Sequence, residues 1–312
     1  MCEGRRPLKH RTGGTFAAIL IGCLALLAGA GSSPAAYIFN STPARNTFSR
    51  TNLSFLGAGY DWSGVGFAGT RGVVMISPEH FFTAAHFNIG AGSTVNYVNR
   101  DGVALTRTIS SYTTLTTTYV HPTFGTQTRG SDLTIGRLNA PLTAGDKITI
   151  TPIPVAPSLT NFVGKEIVAF ANNSVGRNII DDVGLTNFSG NINLNTNGDA
   201  TYAYAYEYNP ATGFNPDEFG GRPGDSGSPT VMFINGKVAA LGSKMGVTSL
   251  TDIPYYTIDQ FLTFYIPQLN TLFASQGGYS VQTIALPIPE PATLLAFVAM
   301  SMLIRRRGCG QA

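Results

Sequence analysis

Three features of the sequence predict an all-β protein. Short apolar or alternating runs recur between turn signals about every ten residues. The dipeptides Asn197-Gly198 and Asn235-Gly236 favour two-residue hairpin turns with positive φ. Only residues 258–273 carry apolar side chains at roughly helical spacing, around Pro267. Composition excludes other classes: 43% hydrophobic residues rule out a disordered chain, and 36 glycines without a three-residue period rule out a collagen. A chain of 312 residues has room for one large or two small domains and needs no staples to hold a core.

The first segment, residues 1–36, reads as a secretory signal peptide. A basic stretch over residues 5–11 runs into an apolar run over residues 16–28 and then small residues, with Ala28-Gly29-Ala30 and Ser33-Pro34-Ala35 as alternative small-x-small cleavage sites. Leu20-Ile21-Gly22-Cys23 also looks like a lipobox, although the apolar run continues past it. A membrane-spanning helix needs about 20 apolar residues, more than are present.

The next elements are strands. Residues 72–76, 105–109, 147–150, 166–170 and 238–241 are β-forming runs. Thr201 opens a strict alternation that puts Tyr202, Tyr204, Tyr206 and Tyr208 on one face, expected as half-buried sheet rather than a sugar-stacking platform. Asn193-x-Asn195-x-Asn197-Gly198-Asp199 has the spacing of a calcium loop but one carboxylate where several are needed, so it reads as a hairpin turn. At the other end, Pro289-Glu290-Pro291 precedes an apolar run over residues 292–304 and then Arg305-Arg306-Arg307, a turn, a short inserting segment and a cationic stop.

The net charge of +3 sits in the ends. Without the seven cations there, and without Glu3 and Glu290, residues 37–288 hold 13 basic and 15 acidic side chains. No basic field remains to attract a nucleic acid. Cys2, Cys23 and Cys309 are terminal as well, so the body forms no disulfide.

Histidine scarcity narrows the chemistry. Outside the signal peptide there are His80, His86 and His121, with no metal-binding pair, so no zinc site is expected. Gly224-Asp225-Ser226-Gly227-Ser228-Pro229 suggests a nucleophile, because glycines around a Ser permit a tight turn whose N–H groups share space with its hydroxyl. No His follows Ser226, which excludes the order Ser, acid, His; the order Asp, His, Ser would need Asp61 and a β-α alternation that is missing. The order His, Asp, Ser remains. His86 closes an apolar strand ending Thr83-Ala84-Ala85-His86, and Asp132 stands before the alternating run Leu133-Thr134-Ile135.

On these motifs the chain resembles the trypsin-like serine proteases. The matching residues are Thr83-Ala84-Ala85-His86, Ser131-Asp132-Leu133 and Gly224-Asp225-Ser226-Gly227-Ser228-Pro229, with softer matches at His121-Pro122, residues 237–243 and residues 258–273. The resemblance implies two six-stranded antiparallel β-barrels with a C-terminal helix. It places an N-terminal extension at 37–64, the protease domain at 65–275 and a linker at 276–286. Within that domain it implies His86 as base, Asp132 as its orienting acid and Ser226 as nucleophile, with the N–H groups of Gly224 and Ser226 as oxyanion donors and no cofactor. His80 and His121 are expected to be structural. Gly220 and Ser243 are expected at the substrate pocket; Gly220, where trypsin has an acid, implies apolar or small side chains before the cut rather than Arg or Lys.

Departures from the family pattern are Phe87 in place of a disulfide Cys, Ser228 in place of a frequent Gly, and Lys244 in place of an aromatic. Family members often pair the acid before the nucleophile with a new N-terminus, and no such segment occurs between Ala36 and Tyr60. Another donor to Asp225 is therefore expected, and no tryptic activation step. Residues 287–312 resemble the PEP-CTERM sorting tail of Gram-negative bacteria. That implies processing by an exosortase at Pro289, Glu290 and Pro291, transient membrane contact, and a secreted or cell-surface protein. The expected activity is peptide-bond hydrolysis; the alternative is a catalytically silent protease fold in the exopolysaccharide matrix.

Overall fold

In the computed structural model, which describes residues 36–121, 123–186, 200–211, 216–248 and 254–287, strand β1 (Tyr37–Ile38) and a one-turn helix α1 (Pro43–Asn46) lead into a first sheet. Its six strands are β2 (Val65–Ala68), β3 (Arg71–Val74), β4 (His80–Ala84), β5 (Thr94–Val98), β6 (Ala104–His121) and β7 (Gly125–Leu138). They are antiparallel in the order β3-β2-β5-β6-β7-β4, and a bridge between Met75 and Phe81 brings the two edges together into a nearly closed barrel. The inside is apolar, with Val73, Met75, Phe81, Val95, Tyr97 and Leu138 buried against one another. Each such side chain contributes about 1.5–3 kcal/mol on leaving water.

After β8 (Ile153–Val155) come β9 (Glu166–Ala171), β10 (Ser174–Ile179), β11 (Asp182–Thr186), β12 (Thr201–Tyr208), the short β13 (Phe219–Gly220), β14 (Pro229–Ile234), β15 (Lys237–Val247) and β16 (Tyr255–Gln260). Apart from β8 and β13 these form a second antiparallel sheet in the order β10-β9-β14-β15-β16-β12-β11. It has seven strands rather than the six that the family resemblance implies. Helix α2 (Ile266–Ser275) follows, and β17 (Thr283–Ala285) pairs in parallel with β8. A shared apolar cluster joins the two sheets, with Phe82 and Ile135 of the first meeting Phe170 and Val231 of the second, and Leu269 and Phe273 of α2 closing it.

Several local expectations meet their outcome here. Asn235 and Gly236 have φ of 50° and 75° and join β14 to β15 directly, the positive-φ hairpin that the dipeptide favours. The predicted helix over 258–273 begins later, at Ile266, because residues 258–260 complete β16 and Pro267 fits only the first helical turn, where its missing N–H is not needed. Residues 147–150 form no strand: Lys147 adopts a left-handed conformation that ends a 3-10 turn, and Thr149 N–H donates to the Ser63 hydroxyl instead of a ladder. Tyr204, Tyr206 and Tyr208 are buried, and the half-buried Tyr202 stacks on Phe264 at 3.6 Å, so the row packs against the protein itself.

Residues 37–64 are built into the body. β1 pairs with β13, Phe55 and Trp62 are buried in the shared core, and Arg45 forms a 2.6 Å ion pair with the buried Asp217. Residues 276–286, read as a linker, carry β17 and the buried Leu286. Of the expected signal peptide, residues 1–35 lie outside the described residues, as do Pro122, residues 193–199, which read as a hairpin turn, and the expected sorting signal Pro289, Glu290 and Pro291. No helix among the described residues is long and apolar enough to cross a membrane.

Candidate functional site

Strand register brings His86 and Asp132 together across 46 residues of chain. Ala84, the last residue of β4, pairs with Leu133 of β7, so the residues just beyond each are neighbours. A 3-10 turn over Ala85–Phe87 then turns the His86 ring back over β7. His86 Nδ1 lies 2.8 Å from both Asp132 carboxylate oxygens, and the His86 backbone N–H donates to Oδ1 at 2.9 Å. An ionised carboxylate only accepts, so Nδ1 carries a proton and the lone pair of the neutral ring is at Nε2.

Asp132 is 2% exposed, and two groups that no sequence motif marks complete its setting. Gln260, at the end of β16, donates from Nε2 to Asp132 Oδ2 at 2.9 Å and to the Asp132 carbonyl at 3.2 Å. Its Oε1 accepts from the Ser243 hydroxyl. Thr201 Oγ1 accepts the Asp132 backbone N–H at 2.8 Å. The carboxylate is thus held from two sides, by His86 on the 3-10 turn after β4 and by Gln260 at the end of β16.

Ser226 stands on the turn before β14. Gly227 N–H donates to the Lys244 carbonyl at 2.9 Å and Lys244 N–H to the Ser228 carbonyl at 3.0 Å, which ties the turn to β15. Thr83 Oγ1 donates to the Gly227 carbonyl at 3.4 Å and ties it to β4, three residues before His86. Gly227 has φ of 78°, and a Cβ there would lie 2.4 Å from Thr83 Oγ1, so only glycine permits this approach. Arg71 holds the other side: its guanidinium lies 3.6 Å above the Phe87 ring and donates to the Gly224 carbonyl at 3.3 Å.

His86, Gly224 and Ser226 line one cleft of about 360 Å³, whose remaining walls are residues 221–225, 244–247 and Thr257. Among the described residues the N–H groups of Gly224 and Ser226 have no acceptor, whereas those of Asp225, Gly227 and Ser228 all do. Two unsatisfied donors beside a hydroxyl and an imidazole can bind a developing oxyanion.

The two expected pocket residues lie elsewhere. Gly220 is buried in β13 opposite Tyr37, where a Cβ would meet the Tyr255 hydroxyl at 2.3 Å; it does not line the cleft. Ser243 is buried with its hydroxyl on Gln260. Lys244, Met245, Gly246 and Val247 supply the wall instead. His80 is held by Ser77 at 2.7 Å and Gln276 at 2.9 Å and stacked on Phe273, and burial lowers its pKa. His121 accepts the N–H groups of Thr123 and Phe124 at the hairpin tip. Neither lines the cleft.

Asp225 is 3% exposed. Burial pushes its carboxyl above the ordinary range, opposed by the Arg222 N–H at 2.8 Å, the positive charge of Lys244 and the Ala36 N–H. The Arg222 and Ala36 N–H groups are the hydrogen-bond donors to this buried carboxyl. Among the described residues no group of His, Cys, Asp and Glu side chains has the arrangement of a metal site. No family model and no curated protein matches the chain.

Proposed function

We propose that the protein is a serine endopeptidase of the trypsin-like kind, built as a chymotrypsin-like pair of β-barrels in which the seven-stranded sheet is the second barrel. The observation that carries this reading is the His86 ring held through Nδ1 by the buried Asp132, in a cleft that Ser226 also lines. His86 Nε2 takes the Ser226 proton as Oγ attacks the scissile carbonyl, then gives it to the leaving amine; water resolves the acyl-enzyme by the same route in reverse. Asp132 holds the tautomer and stabilises the imidazolium. The Gly224 and Ser226 N–H groups receive the oxyanion, and each such donor is typically worth about 10² to 10³ in rate. No cofactor takes part. Met245, Gly246 and Val247 in the wall favour an apolar or small side chain before the cut.

The signal segment and the Pro289-Glu290-Pro291 tail place the substrate outside the cytoplasm, with an exosortase as processing partner and the cell surface as the site of action. A fluorophosphonate probe tests the chemistry. A covalent adduct mapped to Ser226 in folded protein is expected, and folded protein that takes no label there removes the reading.

Gln260 has a role of its own in this scheme. Gln260→Leu removes a donor from Asp132 and leaves the Ser243 hydroxyl without its acceptor. A lost buried hydrogen bond of about 1–3 kcal/mol, felt in the imidazolium state, predicts a fall in kcat of about 10- to 100-fold with KM little changed. Steady-state kinetics on a peptide substrate reads this split.

A further inference from the structure

Two side chains at the edge of the cleft have no part in the mechanism above. Phe87 directly follows the base and is 42% exposed. Arg71, the first residue of β3, covers one face of that ring, and its Nη2 donates to the Gly224 carbonyl at 3.3 Å. That carbonyl is its only hydrogen-bond acceptor among the described residues. No carboxylate among them lies within ion-pair distance of it, and Nη1 is buried with no acceptor at all. Burial lowers the guanidinium pKa, opposed by the negative charge of Asp225, yet an arginine stays charged. A brace on the Gly224 carbonyl would need one N–H and no charge. A partly desolvated cation without an anion is costly, and most of the donors of this one are unspent.

The two sheets decide which part of a substrate passes Arg71. The walls of the cleft over residues 221–225, 244–247 and Thr257 come from the second sheet and its connections, and they take the acyl side of the scissile bond. His86, which protonates the leaving amine, stands on the turn after β4 of the first sheet. The chain after the cut therefore leaves over the first sheet. Phe87 and Arg71 are the surface it meets there, joined to the oxyanion turn through Gly224.

We propose that Arg71 is a specificity-determining residue: its guanidinium, laid on the Phe87 ring beside Gly224, receives a carboxylate from the leaving-group part of the substrate. This rests on the catalytic reading. An Asp or Glu side chain close after the cut and the free C-terminus of a short peptide present the same group, which a planar guanidinium meets with two parallel N–H donors. Stacking on Phe87 fixes that plane before the substrate arrives, so little freedom is lost on binding.

The test uses the full chain and reads the leaving-group side alone. An acetyl-Ala-Ala-Val thioester acylates Ser226, and added amines compete with water for the acyl group. In capture the amine nitrogen forms the new amide bond as the bond from Ser226 Oγ to the acyl carbon breaks; His86 Nε2 takes the amine proton and returns it to Oγ. The amines are Asp-Ala-amide and Ala-Asp-amide, each paired with its Asn isostere, and Ala-Ala with a free or an amidated C-terminus. Relative to water, the carboxylate member of a pair is expected to capture the acyl group about 10-fold better than its amide counterpart, and salt should weaken the preference. The Asp and Ala-Ala pairs distinguish a side chain from a chain end. Arg71→Met should abolish the preference, and Arg71→Lys, which keeps the charge without the fork, should retain part of it. A capture ratio that is the same in the wild type and in both variants overturns the proposal and leaves Arg71 as a brace, even where the variants acylate more slowly. Folded wild type that is never acylated at Ser226 removes the catalytic reading, and this proposal with it.

Discussion

Ser226→Ala is expected to lower peptide hydrolysis by about 10⁶-fold, the scale on which a serine nucleophile acts. The side chain is half-buried at the mouth of the cleft. The turn around it is held by the backbone of Gly227 and Ser228, by Thr83 and by Arg71, none of which needs the Ser226 hydroxyl. Removing one oxygen from that position therefore costs within about 0.5 kcal/mol of stability. Thermal unfolding should superimpose on the wild type while kcat/KM collapses and the fluorophosphonate adduct disappears. Hydrolysis that survives in the purified variant would mean that another group attacks the carbonyl, and the nucleophile assignment would fall.

Asp132→Asn is expected to reduce kcat by about 10⁴-fold, for a reason that can be read atom by atom. Oδ1 receives the His86 backbone N–H and Oδ2 receives Gln260 Nε2, while the His86 Nδ1 proton is shared between the two. An amide nitrogen placed at Oδ1 faces the His86 N–H, and one placed at Oδ2 faces the Gln260 N–H. Either way two donors meet, and the ring is driven toward the tautomer with its proton on Nε2, which cannot accept from Ser226. The structural cost of the mispaired buried donors is about 1–3 kcal/mol, seen as a lowered Tm in a protein that still folds. The rate loss should be larger than any change in KM, since the substrate contacts of the cleft are untouched. A variant with near-normal kcat would show that Asp132 does not orient the base.

The histidine at position 86 and the acid at position 132 were legible because β-strands end on small residues and polar groups in a recognisable way, and their chain order excluded other arrangements. The Gly224 to Pro229 string was legible because glycines around a Ser permit a tight turn, and Gly224 and Gly227 both take positive φ there. Gln260, Thr201 and Arg71 carry no such mark. Each is an ordinary polar residue whose importance depends on which strand end faces which, and that depends on register between strands far apart in sequence. Gly220 and Ser243 show the same limit. Counting six residues back from Ser226 finds Gly220, but β1 pairs with β13 there and Tyr255 occupies the space beside it, so the cleft wall falls one residue later, from Gly221 onward.

The sequence by itself determined the β class, the Asn235-Gly236 hairpin, the neutrality of the body and the short list of residues able to act as base, acid and nucleophile. All of these follow from local backbone preference, alternation and residue chemistry. Only the tertiary structure decided that the sheets have six and seven strands, that Phe55 and Trp62 of residues 37–64 enter the shared core, and that Gln260 donates to Asp132. Those outcomes come from pairing and burial between distant segments, where the free energy depends on the partner that a residue meets rather than on the residue alone.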